Sequence, residues 1–140
     1  MSNTIHVDIV SAEGEIFSGP ARMVFLPAAE GEIGVAPRHA PLLALLKAGE
    51  VRVQPVEGDE QSFYVGGGAL EVQPARVTVL ADTAARAADL DEAAALAARQ
   101  RAEEALSGKI DRIEQAEALA ELARAAAQLK LIERLRKIRG

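Results

Sequence analysis

Val77-Thr78-Val79-Leu80-Ala81-Asp82-Thr83, followed by Ala84-Ala85-Arg86-Ala87-Ala88-Asp89-Leu90-Asp91-Glu92-Ala93, changes physical regime within a few residues. Up to Thr83, apolar and polar residues alternate with the period of a half-buried strand. Beyond it the chain is rich in alanine and charge, and all of its 6 prolines lie behind. The break predicts an all-β N-terminal sandwich or barrel over residues 1–84, followed by an α-helical antiparallel hairpin over residues 85–140. A β core can bury large side chains, whereas an alanine face buries little. A firm module carrying a loosely held arm points to docking and switching more than to catalysis.

Working back from the break, Ile5, Val7 and Ile9 alternate with His6 and Asp8, which puts the apolar side chains on one strand face. Similar runs predict strands at Ile16-Phe17, Arg22 to Leu26, Glu32 to Val35, Leu42 to Leu46, Val51 to Val56, Gln61 to Val65, Ala69 to Val72 and Val77 to Leu80, with Phe63 and Val65 inward. Turn signals at Glu13-Gly14, Ser18-Gly19-Pro20, Glu30-Gly31, Ala48-Gly49, Glu57-Gly58-Asp59 and Gln73-Pro74 separate them. Short strands so regularly punctuated fit a sandwich or small barrel. No helix-length periodicity intervenes, which argues against a parallel α/β sheet.

Working forward, Asp89 with Glu92 and Asp111 with Glu114 have the D-x-x-E form of a helix start. Ser107-Gly108 supplies a stop through a left-handed glycine. Ala94, Ala98, Ala102 and Ala105 are expected on one face of the first helix, with Ala116, Ala120, Ala123 and Ala127 on the facing side of the second. At roughly 0.8 kcal/mol per buried methylene-sized group, such a seam stabilises far less than leucines would. Past Gln128 the apolar face drifts to Leu131, Leu135 and Ile138. There Lys130, Arg134, Arg136, Lys137 and Arg139 face a single acid, Glu133. Cations suit a helix C-terminus, but this many also fit a docking site for an acidic partner.

Composition excludes several classes. Apolar residues at 49% and charged residues at 26% are the balance of a globular chain. Aromatics at 3% leave little for base stacking. A net charge of −5 argues against binding nucleic acid or anionic lipid. The absence of cysteine removes thiolate chemistry and cysteine-built zinc sites. Met1-Ser2-Asn3-Thr4 leads straight into a strand pattern, so neither a signal peptide nor a membrane span is expected, and attachment to a membrane would run through other proteins.

Catalytic signals are sparse. Gly66-Gly67-Gly68 lacks the Lys-Ser/Thr ending of a phosphate loop and runs into a strand, so it is expected to be a tight strand connection. His39, in Pro37-Arg38-His39-Ala40-Pro41, has no evident nucleophile or orienting acid and is expected to be structural or interfacial. Glu13, Glu15, Glu30 and Glu32 sit beside glycines and are expected to be solvated turn carboxylates. Ser11, Ser18 and Ser62 have no convincing histidine and acid partners. No metal-ligand spacing occurs.

Three segments carry a resemblance when taken together: Glu30-Gly31-Glu32-Ile33-Gly34-Val35 with Pro37-Arg38-His39-Ala40-Pro41-Leu42-Leu43, then Gly67-Gly68-Ala69-Leu70-Glu71-Val72, then Val77 to Asp82. In order and spacing they resemble the epsilon subunit of bacterial F-type ATP synthases, from near Val10 through Asp89-Leu90-Asp91-Glu92-Ala93 to the second helix. The resemblance implies a non-catalytic central-stalk subunit in which the sandwich links the gamma subunit to the c-ring. It also implies a mobile hairpin that inhibits ATP hydrolysis on extending toward the catalytic beta and alpha subunits. On the sandwich, Glu30, Glu32 and His39 would face the rotor ring. On the hairpin, Arg124, Lys130, Arg134, Arg136 and Lys137 would meet acidic surfaces. The implied location is peripheral, on the cytoplasmic face of the bacterial inner membrane, without direct insertion and without a cofactor.

One motif departs from the family. Members that bind ATP on the hairpin carry Ile or Leu, Asp, two variable residues, Arg and Ala, where this chain has Leu90-Asp91-Glu92-Ala93-Ala94-Ala95. Ala94 stands at the arginine position, and a methyl cannot pair with a phosphate. Arg124 could still do so, but Gln128 follows one turn later. Weak or absent ATP binding is expected. The competing function is a free-standing adaptor whose basic terminal helix binds acidic proteins.

Overall fold

The computed structural model describes residues 3–139, with the side chain of Arg139 outside that set. The chain divides into two compact units, residues 1–88 and 89–140. The first is a β-sandwich with barrel-like closure and the second is a two-helix hairpin.

Among the described residues seven strands build the first unit: β1 (Ile5–Ser11), β2 (Gly14–Ala28), β3 (Gly31–Val35), β4 (Leu42–Pro55), β5 (Gln61–Gln73), β6 (Arg76–Ala81) and β7 (Ala84–Arg86). Their order is β1-β6-β5-β4-β2-β3, with β7 on β5. A further pairing of β1 with β2 closes the ring. The first half of β2 lies antiparallel to β1, and its second half pairs with β3 and β4. β1 and β6 run parallel, in register from His6 with Arg76 to Val10 with Leu80.

Alternation delivers the core. Ile5, Val7 and Ile9 are fully buried, as are Val24, Leu26, Val51, Val53, Phe63, Val65, Val72, Val77 and Val79. Each such side chain contributes about 1.5–3 kcal/mol relative to exposure. The expected inward pair Phe63 and Val65 is therefore in place, and Phe17 meets Phe63 edge to face at 5.5 Å between centroids.

Three expected breaks are absent. Ser18-Gly19-Pro20 lies inside β2, Ala48-Gly49 inside β4 and Gly66-Gly67-Gly68 inside β5, so pairs of short predicted strands are single long ones. The physical reason is bending without chain reversal. Register shifts interrupt the β2–β4 ladder, and Gly67 and Gly68 take φ of 100° and 135° so that β5 continues along β4. Glycine and proline here lie within continuous strands and not between separate ones.

The second unit begins at Asp89, the last residue of a 3₁₀ turn at Ala87–Asp89, and contains α1 (Glu92–Leu106) and α2 (Arg112–Arg139). The α1 N-cap is Asp91, not Asp89, since Asp91 accepts the Ala94 amide at 3.1 Å while Asp89 belongs to the 3₁₀ turn. Asp111 caps α2 as expected, accepting the Glu114 amide at 2.8 Å. The stop at Ser107 works through a different contact from the one expected. Ser107 keeps right-handed backbone and its hydroxyl donates to the Glu104 carbonyl at 2.7 Å.

The alanine faces are also displaced. Buried positions are Ala95 and Ala102 on α1 and Ala118, Ala125 and Leu131 on α2, whereas Ala94, Ala105, Ala116, Ala120 and Ala123 are exposed. Seven-residue spacing on both helices is the mark of a narrow coiled-coil seam. Among the described residues the buried hairpin positions are alanines apart from Leu131.

Candidate functional site

At one end of the sandwich, the turn after β2, strand β3 and the start of β4 enclose an open groove of about 490 Å³. Its walls are Ala28, Ala29, Ile33 and the run Leu42 to Leu45, with Glu30 and Glu32 among the lining residues. Strand alternation explains the groove: Leu46 points into the core, which leaves Leu43 and Leu45 outward at 77% and 69% exposure. Bulky apolar side chains in solvent beside carboxylates make this groove a candidate interaction surface.

The predicted residues fall differently around this groove. Glu30 is exposed in the β2–β3 turn. Glu32 is fixed by Arg52, whose guanidinium lies 3.2 Å from it, 3.5 Å from Glu60 and 4.3 Å above the Phe25 ring. Glu32 is thus a paired carboxylate on β3 instead of in a turn, and it remains exposed to solvent as expected. His39 is not part of the groove lining, and its Nδ1 donates to the Ala40 carbonyl at 2.6 Å. That bond stiffens the turn between β3 and β4. In the same turn Arg38 holds φ at 65° and its amide donates to the Pro74 carbonyl at 2.8 Å.

A second polar cluster was not legible as such in the sequence. Ser18 does have a histidine and an acid beside it: its hydroxyl donates to Asp8 Oδ1 at 2.7 Å, and His6 Nε2 lies 2.9 Å from Asp8 and 3.0 Å from Ser18. Arg76 donates to the other Asp8 oxygen. His6-x-Asp8 on one strand face was a usable signal. Its partners required the registers that set Asp8 opposite Ser18 and His6 opposite Arg76. The arrangement is no hydrolytic triad, because a single imidazole nitrogen meets both partners and the serine proton already points at the carboxylate. Burial would raise the Asp8 carboxyl, but hydrogen bonds from Ser18 and His6 and the charges of His6 and Arg76 outweigh it and hold the group below its ordinary value. The cluster ties β1 to β2 and β6.

On the hairpin, Arg124, Lys130, Arg134, Arg136 and Lys137 all lie on α2, with Lys130, Arg136 and Lys137 exposed and Arg124 and Arg134 half-buried. Arg136 reaches Glu92 on α1 at 2.5 Å, and Lys137 pairs with Glu133 one turn back at 3.5 Å. Of the nucleotide-motif residues, Leu90 is half-buried, Ala94 exposed, and Asp91 committed to capping α1. Among the described residues no cluster of three or more His, Asp or Glu side chains could hold a metal ion. Nor is any helix long and apolar enough to cross a membrane.

Comparison with known proteins agrees with this architecture. Residues 4–87 match the family described as ATP synthase, Delta/Epsilon chain, beta-sandwich domain, and residues 88–133 match its long alpha-helix domain. The ATP synthase epsilon chain of Nitrosococcus oceani is 64% identical over 140 residues, covering 100% of both chains. That of Alkalilimnicola ehrlichii is 61% identical over 135 residues, 96% of each. A chain of the Euglena gracilis mitochondrial ATP synthase, solved with OSCP, F1 and c-ring, superposes with a TM-score of 0.79 at 19% identity, over 91% of this chain and 80% of that one. A chain of the Tetrahymena thermophila mitochondrial ATP synthase central stalk and c-ring gives 0.66 at 12% identity, over 91% and 96%. These two likenesses speak to the fold. Both family domains in order, and close relatives over the full length, mean that this chain belongs to the epsilon chain family of ATP synthases.

Proposed function

We propose that the protein is a non-catalytic central-stalk subunit of a rotary, proton-translocating ATP synthase, with a sandwich that links the gamma subunit to the c-ring. The observation that carries this reading is the 64% identity to an epsilon chain across the whole length. The groove supports it: Leu43 and Leu45 need a partner to leave water, and Glu30 and Glu32 beside them suit cationic or amide groups on the rotor ring. His39 stiffens the adjoining turn. In this reading residues 1–84 dock on the stalk and residues 85–140 regulate. The assembled protein sits peripherally on the cytoplasmic face of the bacterial plasma membrane.

The hairpin is the inhibitory element. Its seam rests on Ala95, Ala102, Ala118 and Ala125 together with Leu131; each alanine buries little apolar area, so closed and open arrangements lie near in energy. Opening presents Arg124, Lys130, Arg134, Arg136 and Lys137 to acidic surfaces of the catalytic beta and alpha subunits, where they hold the complex against ATP hydrolysis. With Asp91 engaged as a cap and Ala94 lacking charge, ATP binding by the hairpin is weak or absent. Calorimetric titration with ATP is expected to give no micromolar binding.

Removing residues 90–140 tests the inhibitory role. The sandwich is expected to fold and assemble, and the ATPase rate of the complex to rise. An unchanged rate in a fully assembled complex removes the role.

A further inference from the structure

The Glu92–Arg136 contact joins the first turn of α1 to the end region of α2, 44 positions apart, at 2.5 Å. It therefore closes the mouth of the hairpin, the end away from the 107–111 connection. Nearer that connection, Arg101 Nε lies 3.4 Å from Glu121 Oε1. Helix dipoles favour both members of the mouth pair, an acid at the start of α1 and a cation near the end of α2. Side-chain exposures of 43% and 67% leave the pair in water, so it is weak and screened by salt.

We propose that Glu92–Arg136 is an electrostatic clasp on hairpin opening, and that Arg136 serves in turn as the clasp and as part of the basic face that the opened arm presents. This rests on the mobile hairpin proposed above. One guanidinium cannot give the same donors to Glu92 and to a carboxylate on a partner, so partner acids compete with Glu92 for it. A strong clasp would silence the arm. A weak one on an alanine seam leaves the equilibrium within reach of a partner's charge. The Arg101–Glu121 pair, beside the connection, can persist while the mouth parts.

The clasp separates two variants that charge alone would treat alike. Glu92→Gln releases the clasp and leaves the basic face whole. Arg136→Gln releases it and also weakens that face. In the full chain, labels at Ala97→Cys and Lys130→Cys allow pulsed distance measurements, since no native cysteine interferes. Glu92→Gln is expected to raise the open fraction two- to fivefold at low salt, and high salt to erase the difference. Arg136→Gln should do the same, and the double variant no more than either alone. In the assembled complex Glu92→Gln should deepen inhibition and Arg136→Gln should not. Equal open fractions in the parent chain and Glu92→Gln at low salt, or additive effects in the double variant, overturn the clasp. If truncation still raises the ATPase rate, the inhibitory reading survives that result. If the distances shift but truncation leaves the rate unchanged, the clasp stands and the inhibitory reading falls.

Discussion

Gly68 runs so close to Leu80 that a methyl group on its Cα would stand 2.1 Å from the Leu80 carbonyl oxygen and 2.9 Å from the Ala81 Cα. The obstacle is backbone of the neighbouring strand β6, which cannot swing aside as a flexible side chain would. Its φ of 135° is also one that residues with a Cβ rarely adopt. Through this position β5 continues without reversing and pairs with β4 along one edge and β6 along the other.

Gly68→Ala is therefore expected to destabilise the sandwich by about 3 kcal/mol or more, since strain and overpacking each contribute about 1–3 kcal/mol. Tyr64 is the chain's 1 tyrosine, tryptophan is absent, and the ring is buried in β5. Its fluorescence in a urea titration thus reports this unit. A loss below about 1 kcal/mol would mean that β6 yields more readily than its pairing implies.

Asp8 gives the sandwich an acid-sensitive element. Its folded carboxyl titrates below its ordinary value. The ionised form therefore stabilises the fold in full above about pH 4, and that contribution vanishes as pH falls through the lower folded value. The parent protein should lose urea resistance across this window more steeply than Asp8→Asn, which has no such proton to bind. Parallel pH profiles would show that Ser18, His6 and Arg76 do not hold the carboxylate as the geometry indicates.

Arg38 offers a stabilising change. Left-handed backbone costs a residue with a Cβ about 1–2 kcal/mol, and the greater freedom of glycine in the unfolded chain offsets about 0.5–1 kcal/mol of the relief. Arg38→Gly is expected to raise stability by about 0.5–1 kcal/mol, seen as a higher urea midpoint at unchanged slope. Arg38→Val should lower it. A lower midpoint for glycine would mean that the arginine side chain makes a stabilising contact that outweighs its strain.

Much of the fold could be read along the chain because the signals are local. The period-2 runs around Ile5-Val7-Ile9 and Val77-Val79 named their own buried faces, and Asp111 announced the helix it caps. Glycine and proline proved ambiguous. Ser18-Gly19-Pro20 and Gly66-Gly67-Gly68 bend strands, and only neighbours distant in sequence distinguish a bend from a reversal. On the hairpin, alanine was so abundant that several faces satisfied a helical period. The pairing of α1 with α2 selected Ala95 and Ala102 over Ala94 and Ala105.

The candidate sites divide along the same line. The resemblance names Glu30, Glu32 and His39 for the interface, whereas Leu43 and Leu45, 13 and 15 positions beyond Glu30, read only as strand residues, and the groove alone joins them to it. The anchoring of Glu32 by Arg52, the capture of Asp8 by Ser18 and Arg76, and the reach of Arg136 to Glu92 join residues 10 to 68 positions apart.

Side-chain period and composition are properties of neighbouring residues, so the amino-acid sequence alone determined a β module followed by a helical hairpin, free of thiols and short of aromatic rings. Strand register and helix pairing bring together residues with no local relation. Tertiary structure alone therefore decided which glycines bend, which alanines touch, and which charges are already spoken for.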